Sequence, residues 1–135
     1  MSELVASELS CGDQLPELVI EVSSKLIVAG AIASRDFQDV HHDKDAAQAA
    51  GTPDIFMNIL TTNGLVGRYV TDWAGSRARL KSVSIRLGAP NFPGDRMTFT
   101  GAVVAIEKGT VDVEIRGSNR LGDHVTGTVS VELPA

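Results

Sequence analysis

The sequence is poor in cysteine, in clustered positive charge and in long apolar runs, and each shortage excludes a class of protein. Its one cysteine, Cys11, cannot form an internal disulfide, so we expect a cytoplasmic protein rather than a disulfide-stabilised secreted one. The longest apolar run, residues 26–33, is too short to cross a bilayer, and residues 1–10 lack the basic start of a signal peptide. A net charge of −5 without any run of Lys or Arg argues against a nucleic-acid partner.

The composition that remains is that of a globular domain. A chain of 135 residues, 43% hydrophobic and 21% charged, suits one domain with one core. We predict a flexible N-terminal segment over the polar residues 1–14 and a single domain over residues 15–135.

Hydrophobic periodicity predicts mainly helix in the first half of the domain. Residues 15–22 are rich in β-branched side chains and predict a strand, whereas residues 26–33 fit either a second strand or a short helix. Asp43 is placed to cap a short alanine-rich helix that Gly51 ends. One long helix is predicted over residues 56–74, with residues 52–54 as its start signal.

This long helix is predicted to be buried on nearly all sides, because apolar residues recur at helical spacing around most of its girth. The residues at that spacing are Phe56, Ile59, Leu60, Val66, Val70 and Trp73. After Gly75 the period changes to two, which predicts strands over residues 82–87, 97–105, 111–116 and 125–133, with turns at 91–95 and 119–123. We therefore predict an α+β fold of the hotdog type, a curved antiparallel β-sheet wrapped around one long central helix.

Residues 35–45, RDFQDVHHDKD, place four aspartates and two adjacent histidines between two apolar segments. A metal site is disfavoured, because the side chains of His41 and His42 point in different directions and the only other histidine is His124. A solvated turn before a helix explains most of the polar residues. Those residues are Asp39, His42, Asp43, Lys44 and Asp45.

Asp36 and His41 differ from these neighbours because a carboxylate beside an imidazole can act as an acid–base pair. Their five-residue separation is about 140° around a helix and puts them on opposite faces of a strand, so regular structure would hold them apart. Only an irregular loop can bring the two side chains together beneath apolar walls. The stretch therefore predicts general acid–base catalysis by Asp36 and His41.

The segment SRDFQDVHHDKDAA resembles the hydratase motif of the MaoC-like hotdog proteins, the R-specific enoyl-CoA hydratases. That motif is Gly-Asp-x-Asn-Pro-(Ile/Leu)-His-x-Asp followed by alanines, so Asp36 falls on its catalytic Asp and His41 on its catalytic His. Arg35, Gln38 and Asp39 replace the Gly, Asn and Pro of the motif. Gln38 keeps an amide that can form hydrogen bonds with a longer reach, and the resemblance implies a substrate-binding role for it.

The start of the long helix also belongs to this resemblance. The family usually has a His-Gly pair there, where this chain has Asn58 and Ile59. In the family, a backbone N–H at this helix start holds the thioester carbonyl, and a helix N-terminus can offer such an N–H whatever the side chain. The resemblance thus implies substrate binding by Asn58 and Ile59, with Ile59 as the amide donor.

Three segments, ASRDFQDVHHDKD, DIFMNILTTNGLVGRYVTDWAG and NRLGDHVTGTV, together resemble the small catalytic MaoC-like subunit of actinobacterial steroid side-chain hydratases. The resemblance covers nearly the whole chain beyond residue 14. It implies hydration of the 2,3 double bond of an enoyl-CoA, a steroid side-chain CoA ester of sterol catabolism, with no cofactor besides the CoA of the substrate. It also implies a second MaoC-like subunit, often fused to a zinc-ribbon/OB-type domain, in a heterotetramer; a homodimer is the alternative.

Two other functions remain open at this point. A hotdog thioesterase also uses a carboxylate at a helix start, although the spacing of Asp36 and His41 favours a hydratase. A non-catalytic partner subunit is the second alternative, and the presence of both residues favours the catalytic member of such a pair. Basic residues that could contact the CoA phosphates are Arg77, Arg79, Lys81 and Arg86.

Overall fold

Five strands form one antiparallel sheet, and a computed structural model describes it within residues 3–135. Met1 and Ser2, which belong to the predicted flexible segment, lie outside the described residues. The strands are β1 (Leu18–Glu21), β2 (Arg79–Leu87), β3 (Arg96–Glu107), β4 (Thr110–Asn119) and β5 (Gly122–Glu132), in the spatial order β1-β3-β4-β5-β2. The helices are α1 (Ser24–Ala33), α2 (Lys44–Ala49) and α3 (Ile59–Ala74), with 3-10 turns at Ala6–Glu8 and Asp39–His41.

The core lies between α3 and the inner face of the sheet. Alternation along β4 and β5 places valines on that face, where Val111 pairs with Val131 and Val113 with Val129. Each fully buried valine stabilises the fold by roughly 1.5–3 kcal/mol relative to an exposed one. The buried residues of α3 form one stripe: Thr62, Val66, Tyr69, Val70 and Ala74. The predicted α+β hotdog arrangement is confirmed.

The long helix differs from its prediction in its start and in its burial. It begins at Ile59 rather than at residue 56, and the cap is Asn58 rather than a residue of 52–54. Ile59 and Leu60 are each 50% exposed, so their helical spacing is not a burial signal here. The sheet covers only one side of α3, which explains why the helix is buried along a stripe and not all round. No helix within residues 3–135 is long and apolar enough to cross a membrane.

The shorter elements follow the sequence with two adjustments. The ambiguous residues 26–33 are helical as part of α1, which begins where the Ser23 hydroxyl accepts from the amide of Leu26. The strand predicted over residues 15–22 shortens to β1. The short alanine-rich helix is present as α2, with the Asp43 carboxylate accepting from the amide of Ala46.

The N-terminal segment, which the sequence predicts to be flexible, forms hydrogen bonds with the domain from Glu3 onwards. The amide of Leu4 donates to the carbonyl of Ala74 at 3.4 Å, and the amide of Gly12 donates to that of Val103 at 2.8 Å. These bonds tie the segment to the end of α3 and to β3. Backbone pairing, together with the packing of Leu4, Ala6 and Leu9 against the core, holds this segment in place.

Candidate active site

Asp36 is positioned by the way in which α1 ends. After the helix, Arg35 adopts a left-handed conformation with φ 57°. The amide of Arg35 donates to the carbonyl of Ile32 at 3.0 Å. The amide of Asp36 donates to the carbonyl of Ala31 at 2.9 Å. This pair of bonds is a Schellman motif, which satisfies the last helical carbonyls and turns the chain sharply, so the backbone of Asp36 is fixed directly after the turn.

His41 is brought back towards Asp36 by the 3-10 turn Asp39–His41. Its amide donates to the carbonyl of Gln38 at 3.1 Å. Its ring is buried and lies nearly perpendicular to the ring of Phe56, the centroids being 5.0 Å apart. Nδ1 lies 2.7 Å from the carbonyl oxygen of Phe56. A carbonyl oxygen only accepts, so Nδ1 carries the proton and Nε2 of the neutral ring is left as an acceptor.

The two side chains meet with Nε2 of His41 3.4 Å from Oδ2 of Asp36. The imidazole is 7% exposed and the carboxylate 21%, so the pair is shielded yet open on the Asp36 side. The other carboxylate oxygen, Oδ1, accepts from the amide of Gln38 at 3.4 Å. A water molecule at this opening could donate hydrogen bonds to the carboxylate and to Nε2 together.

Asn58 joins this pair to the start of α3. Its side-chain oxygen caps the helix by accepting from the amide of Thr61 at 3.2 Å. Its side-chain nitrogen donates to Oδ2 of Asp36 at 3.2 Å and to the hydroxyl of Ser34 at 3.0 Å. The first two amides of α3, those of Ile59 and Leu60, have no acceptor within the helix because helical bonds begin one turn later. The carboxylate therefore lies beside a helix N-terminus with free N–H groups.

Comparisons with known proteins identify the family of the chain. The profile of the MaoC like domain matches residues 12–124. The chain belongs to the MaoC-like domain family. It is 53% identical over 122 residues to a protein of Mycobacterium tuberculosis named 3-oxo-4,17-pregnadiene-20-carboxyl-CoA hydratase beta subunit, and the match spans 90% of this chain and 95% of that one.

Solved structures of MaoC-like proteins extend the likeness to the fold. The chain superposes on a chain of the ChsH1-ChsH2 complex from M. tuberculosis with a TM-score of 0.91 and 52% identity, covering 93% of this chain and 98% of that one. An (R)-hydratase from A. caviae involved in PHA biosynthesis matches with a TM-score of 0.85 at 22% identity, covering 93% and 98%. The resemblance to MaoC-like hydratases, including a steroid side-chain hydratase subunit, is confirmed.

The departures from the MaoC-like motif have visible consequences. Arg35 stands where the motif has glycine, and its φ of 57° is a conformation that glycine adopts without steric cost. Asn58 replaces the histidine of the usual His-Gly pair, and its side chain donates a hydrogen bond to the carboxylate of Asp36. Gln38 is exposed and contacts Asp36 through its backbone amide. Ile59 is half-exposed at the first position of α3.

The remaining polar residues of the stretch 35–45 separate from the pair. His42 is exposed, with Nε2 3.7 Å from Oδ1 of Asp39 and 3.3 Å from the carbonyl of Phe37. Asp43 caps α2, as its position before the alanines indicates. No group of three or more His, Cys, Asp or Glu side chains within residues 3–135 is arranged to hold a metal ion.

A second buried histidine, His124, joins β5 to the first turns of α3. Its Nδ1 donates to the carbonyl of Ala89 at 2.7 Å, and its Nε2 accepts from the hydroxyl of Thr62, also at 2.7 Å. Burial lowers the pKa of His124, an effect that the bond to Ala89 opposes. Adjacent burial of His124 and Val125 interrupts the alternation of β5, so period two gave no signal for it.

The four candidate residues for CoA binding fall at two ends of the domain. Arg77 and Arg79 follow the C-terminal end of α3, about 24 Å from the N-terminal end that faces Asp36. Lys81 and Arg79 both lie near the carboxylate of Glu132, at 3.6 and 3.8 Å. Arg86 pairs with Thr126 at the opposite end of β2, the end at which the Thr62–His124 contact holds the start of α3.

Proposed function

We propose that this chain is the catalytic subunit of an enoyl-CoA hydratase, with Asp36 and His41 as its acid–base pair. The observation that carries the proposal is the 3.4 Å contact between the two side chains, in which the Phe56 carbonyl leaves Nε2 directed at Asp36. A hydratase needs a carboxylate that accepts a proton from water beside a group that orients the same water. The family membership of the chain supports the same chemistry.

In the proposed reaction, water adds across the 2,3 double bond of the thioester. Asp36 accepts a proton from the water as its oxygen bonds to C3, and His41 orients the water through Nε2. The proton is delivered to C2 from the same face, with His41 sharing the transfer, so that the addition is syn. The free amide of Ile59 stabilises the enolate-like thioester oxygen, a contact worth on the order of 3 kcal/mol in other enzymes.

The proposed substrate is a steroid side-chain CoA ester. Support comes from the name of the relative that is 53% identical, which is a hydratase of a pregnadiene carboxyl-CoA. Large apolar side chains within four positions of Asp36 or in the first turn of α3 are exposed: Ile32 at 55%, Phe37 at 66%, Ile59 at 50% and Leu60 at 50%. Such exposure suits a bulky apolar acyl group or the partner that encloses it. Beyond the CoA of the substrate, no cofactor is proposed.

A second MaoC-like subunit is the proposed partner, because the structural relative is a complex of ChsH1 and ChsH2. Within residues 3–135, β2 pairs only with β5, so its outer edge keeps unpaired backbone groups. Leu80 and Leu87 on this strand are 44% and 38% exposed. The specific form of this proposal is a heterotetramer in which the partner carries a zinc-ribbon/OB-type domain. The alternative is a homodimer. We propose the cytoplasm as the location of either assembly.

The test compares Asp36→Asn, His41→Gln and the control His42→Ala in an enoyl-CoA hydration assay. The chain is purified alone and after co-expression with a MaoC-like partner chain, since an incomplete assembly can be inactive. We expect losses of at least about a hundredfold for Asp36→Asn and His41→Gln, with circular dichroism unchanged, and wild-type activity for His42→Ala. Near-normal hydration by either site variant would refute the assignment.

The same samples separate the two alternative functions. Release of free thiol from a saturated acyl-CoA, detected with a thiol dye, would identify a thioesterase. If the complex still hydrates enoyl-CoA after both site substitutions in this chain, this chain is instead the non-catalytic partner.

A further inference from the structure

Asn58 is buried, at 2% exposure, and its side chain has no free hydrogen-bonding capacity for a substrate. Its nitrogen donates to Ser34 and Asp36, and its oxygen accepts from both the amide and the hydroxyl of Thr61. An amide side chain has two donors and an acceptor with two lone pairs, so all four positions are occupied. The side chain is therefore committed to the protein rather than to a ligand.

These bonds lie where α1 and α3 approach closely. A Cβ on Gly30 would collide with the side chain of Thr61, so the two helices meet at this point. The hydroxyl of Ser34 donates to the carbonyl of Gly30 at 2.7 Å while it accepts from Asn58. The end of α1, which carries Asp36, and the first turn of α3 are thus joined through one amide side chain.

We propose that Asn58 is a positioning residue, which fixes the Asp36 carboxylate relative to the free amides of the first turn of α3. This inference rests on the proposed hydratase function. A base and an oxyanion donor act on atoms of the same thioester, so their relative placement decides the rate.

No other common helix cap can replace both functions of this residue. Serine and aspartate cap helices as well as asparagine does. Serine is too short to keep the donor at Asp36, and aspartate has only acceptors and adds a second negative charge. Asn58→Ser therefore removes the hydrogen-bond donor to Asp36 and keeps the cap. Asn58→Asp removes the same donor and also places a negative charge beside the carboxylate of Asp36.

The experiment measures kcat/KM against pH for Asn58→Ser and Asn58→Asp in whichever assembly of the wild type is active. We expect Asn58→Ser to lose about tenfold to a hundredfold in kcat/KM, as for one hydrogen bond to a charged group. We expect Asn58→Asp to lose more and to shift the acidic limb of the pH profile upwards, because two adjacent carboxylates hold one proton to a higher pH. The control is Asn63→Asp, which adds the same charge at an exposed position of α3.

The decisive readout is the pH profile, which a purely structural cap would not move. A wild-type profile and wild-type kcat/KM in folded Asn58→Asp would overturn the proposal. Loss of activity in proportion to loss of folded protein, with the profile unchanged, would also overturn it and leave Asn58 as a cap only.

A measurement without substrate separates this proposal from the proposed function. In the wild-type protein, the side-chain amide resonances of Asn58 should follow the titration of the Asp36 carboxylate in nuclear magnetic resonance spectra. This result is expected even if no enoyl-CoA is hydrated, in which case only the proposed function fails. Amide resonances that stay constant while Asp36 titrates would refute the contact, and this test does not depend on any variant folding.

Discussion

Replacing His124 with alanine should destabilise this chain far more than replacing an exposed histidine, because the imidazole links α3, β5 and the loop after β2. Its removal leaves the hydroxyl of Thr62 and the carbonyl of Ala89 without the partners that now lie at 2.7 Å. A buried group left without a partner costs about 1–3 kcal/mol, and the Thr62 hydroxyl keeps only a longer bond to the carbonyl of Asn58, at 3.4 Å. The free energy of unfolding of His124→Ala should therefore fall by about 2–5 kcal/mol.

The assay is denaturant-induced unfolding of the purified chain. Thr62→Val keeps the shape of the side chain but strands Nε2 of His124, so we expect it to cost about 1–3 kcal/mol. The double variant His124→Ala/Thr62→Val should cost less than the sum of the two single changes, since both break the same bond. The control His42→Ala should stay within about 0.5 kcal/mol of the wild type. A loss below about 1 kcal/mol for His124→Ala would refute this account of the buried link.

The same histidine predicts a dependence of stability on pH. Burial lowers the pKa of His124 in the folded chain, whereas the pKa of the same side chain in the unfolded chain lies near the usual histidine value of 6.5. As the pH falls, the unfolded chain therefore binds a proton at His124 before the folded chain does. The stabilisation that the neutral, buried imidazole contributes is complete above pH 6.5 and is lost as the pH falls towards the pKa of the folded state. The stability difference between the wild type and His124→Ala should narrow as the pH falls from about 7.5 to about 5. A difference that stays constant would contradict the assignment of His124 as buried and neutral.

Three further predictions concern Arg35, Gly117 and Tyr69. Arg35→Gly should raise the free energy of unfolding by up to about 1 kcal/mol, as measured by denaturation, because glycine removes the steric cost of φ 57° at that position. Gly117→Ala should lower it by about 1–3 kcal/mol, since the new Cβ would lie 2.9 Å from Val125 and 3.0 Å from Met97. Tyr69 is the only tyrosine, and desolvation by burial, assisted by the charge of Glu17, raises its pKa to about 12. Tyrosinate absorbance should consequently appear near that pH in the folded chain, whereas absorbance developing near 10 would show that Tyr69 is exposed.

Elements that depend on local pattern could be predicted from the sequence. The alternation of Val111 and Val113 on β4 predicts which face meets the helix, because successive strand residues point to opposite sides. Asp43 before an alanine run predicts the start of α2, since a short acidic side chain satisfies the first free amides. The same logic could have found the start of α3, because Asn58 is an equally favourable cap for that helix.

Burial around a helix could not be predicted in this way. Ile59 and Leu60 fit the helical spacing of the core, yet each is half-exposed, because the sheet covers only one side of α3. The N-terminal segment shows the opposite case. Most of its side chains are polar and suggest no attachment, yet Leu4 and Leu9 pack against the core. Its backbone amides also bond to residues such as Ala74 and Val103, which are distant in sequence.

The sequence by itself determined the chemistry of the pair: a carboxylate at Asp36 and an imidazole at His41, at a spacing that regular structure would keep apart. It also determined the turn, because polar residues between two apolar segments cannot continue a strand or a buried helix. Only the tertiary structure decided what surrounds the pair. The Phe56 carbonyl sets the tautomer of His41, and Asn58 holds Asp36 against α3. The partners in these two hydrogen bonds are separated by 15 and 22 positions in the sequence. Such bonds depend on how the helices pack, and no local pattern in the sequence encodes that packing.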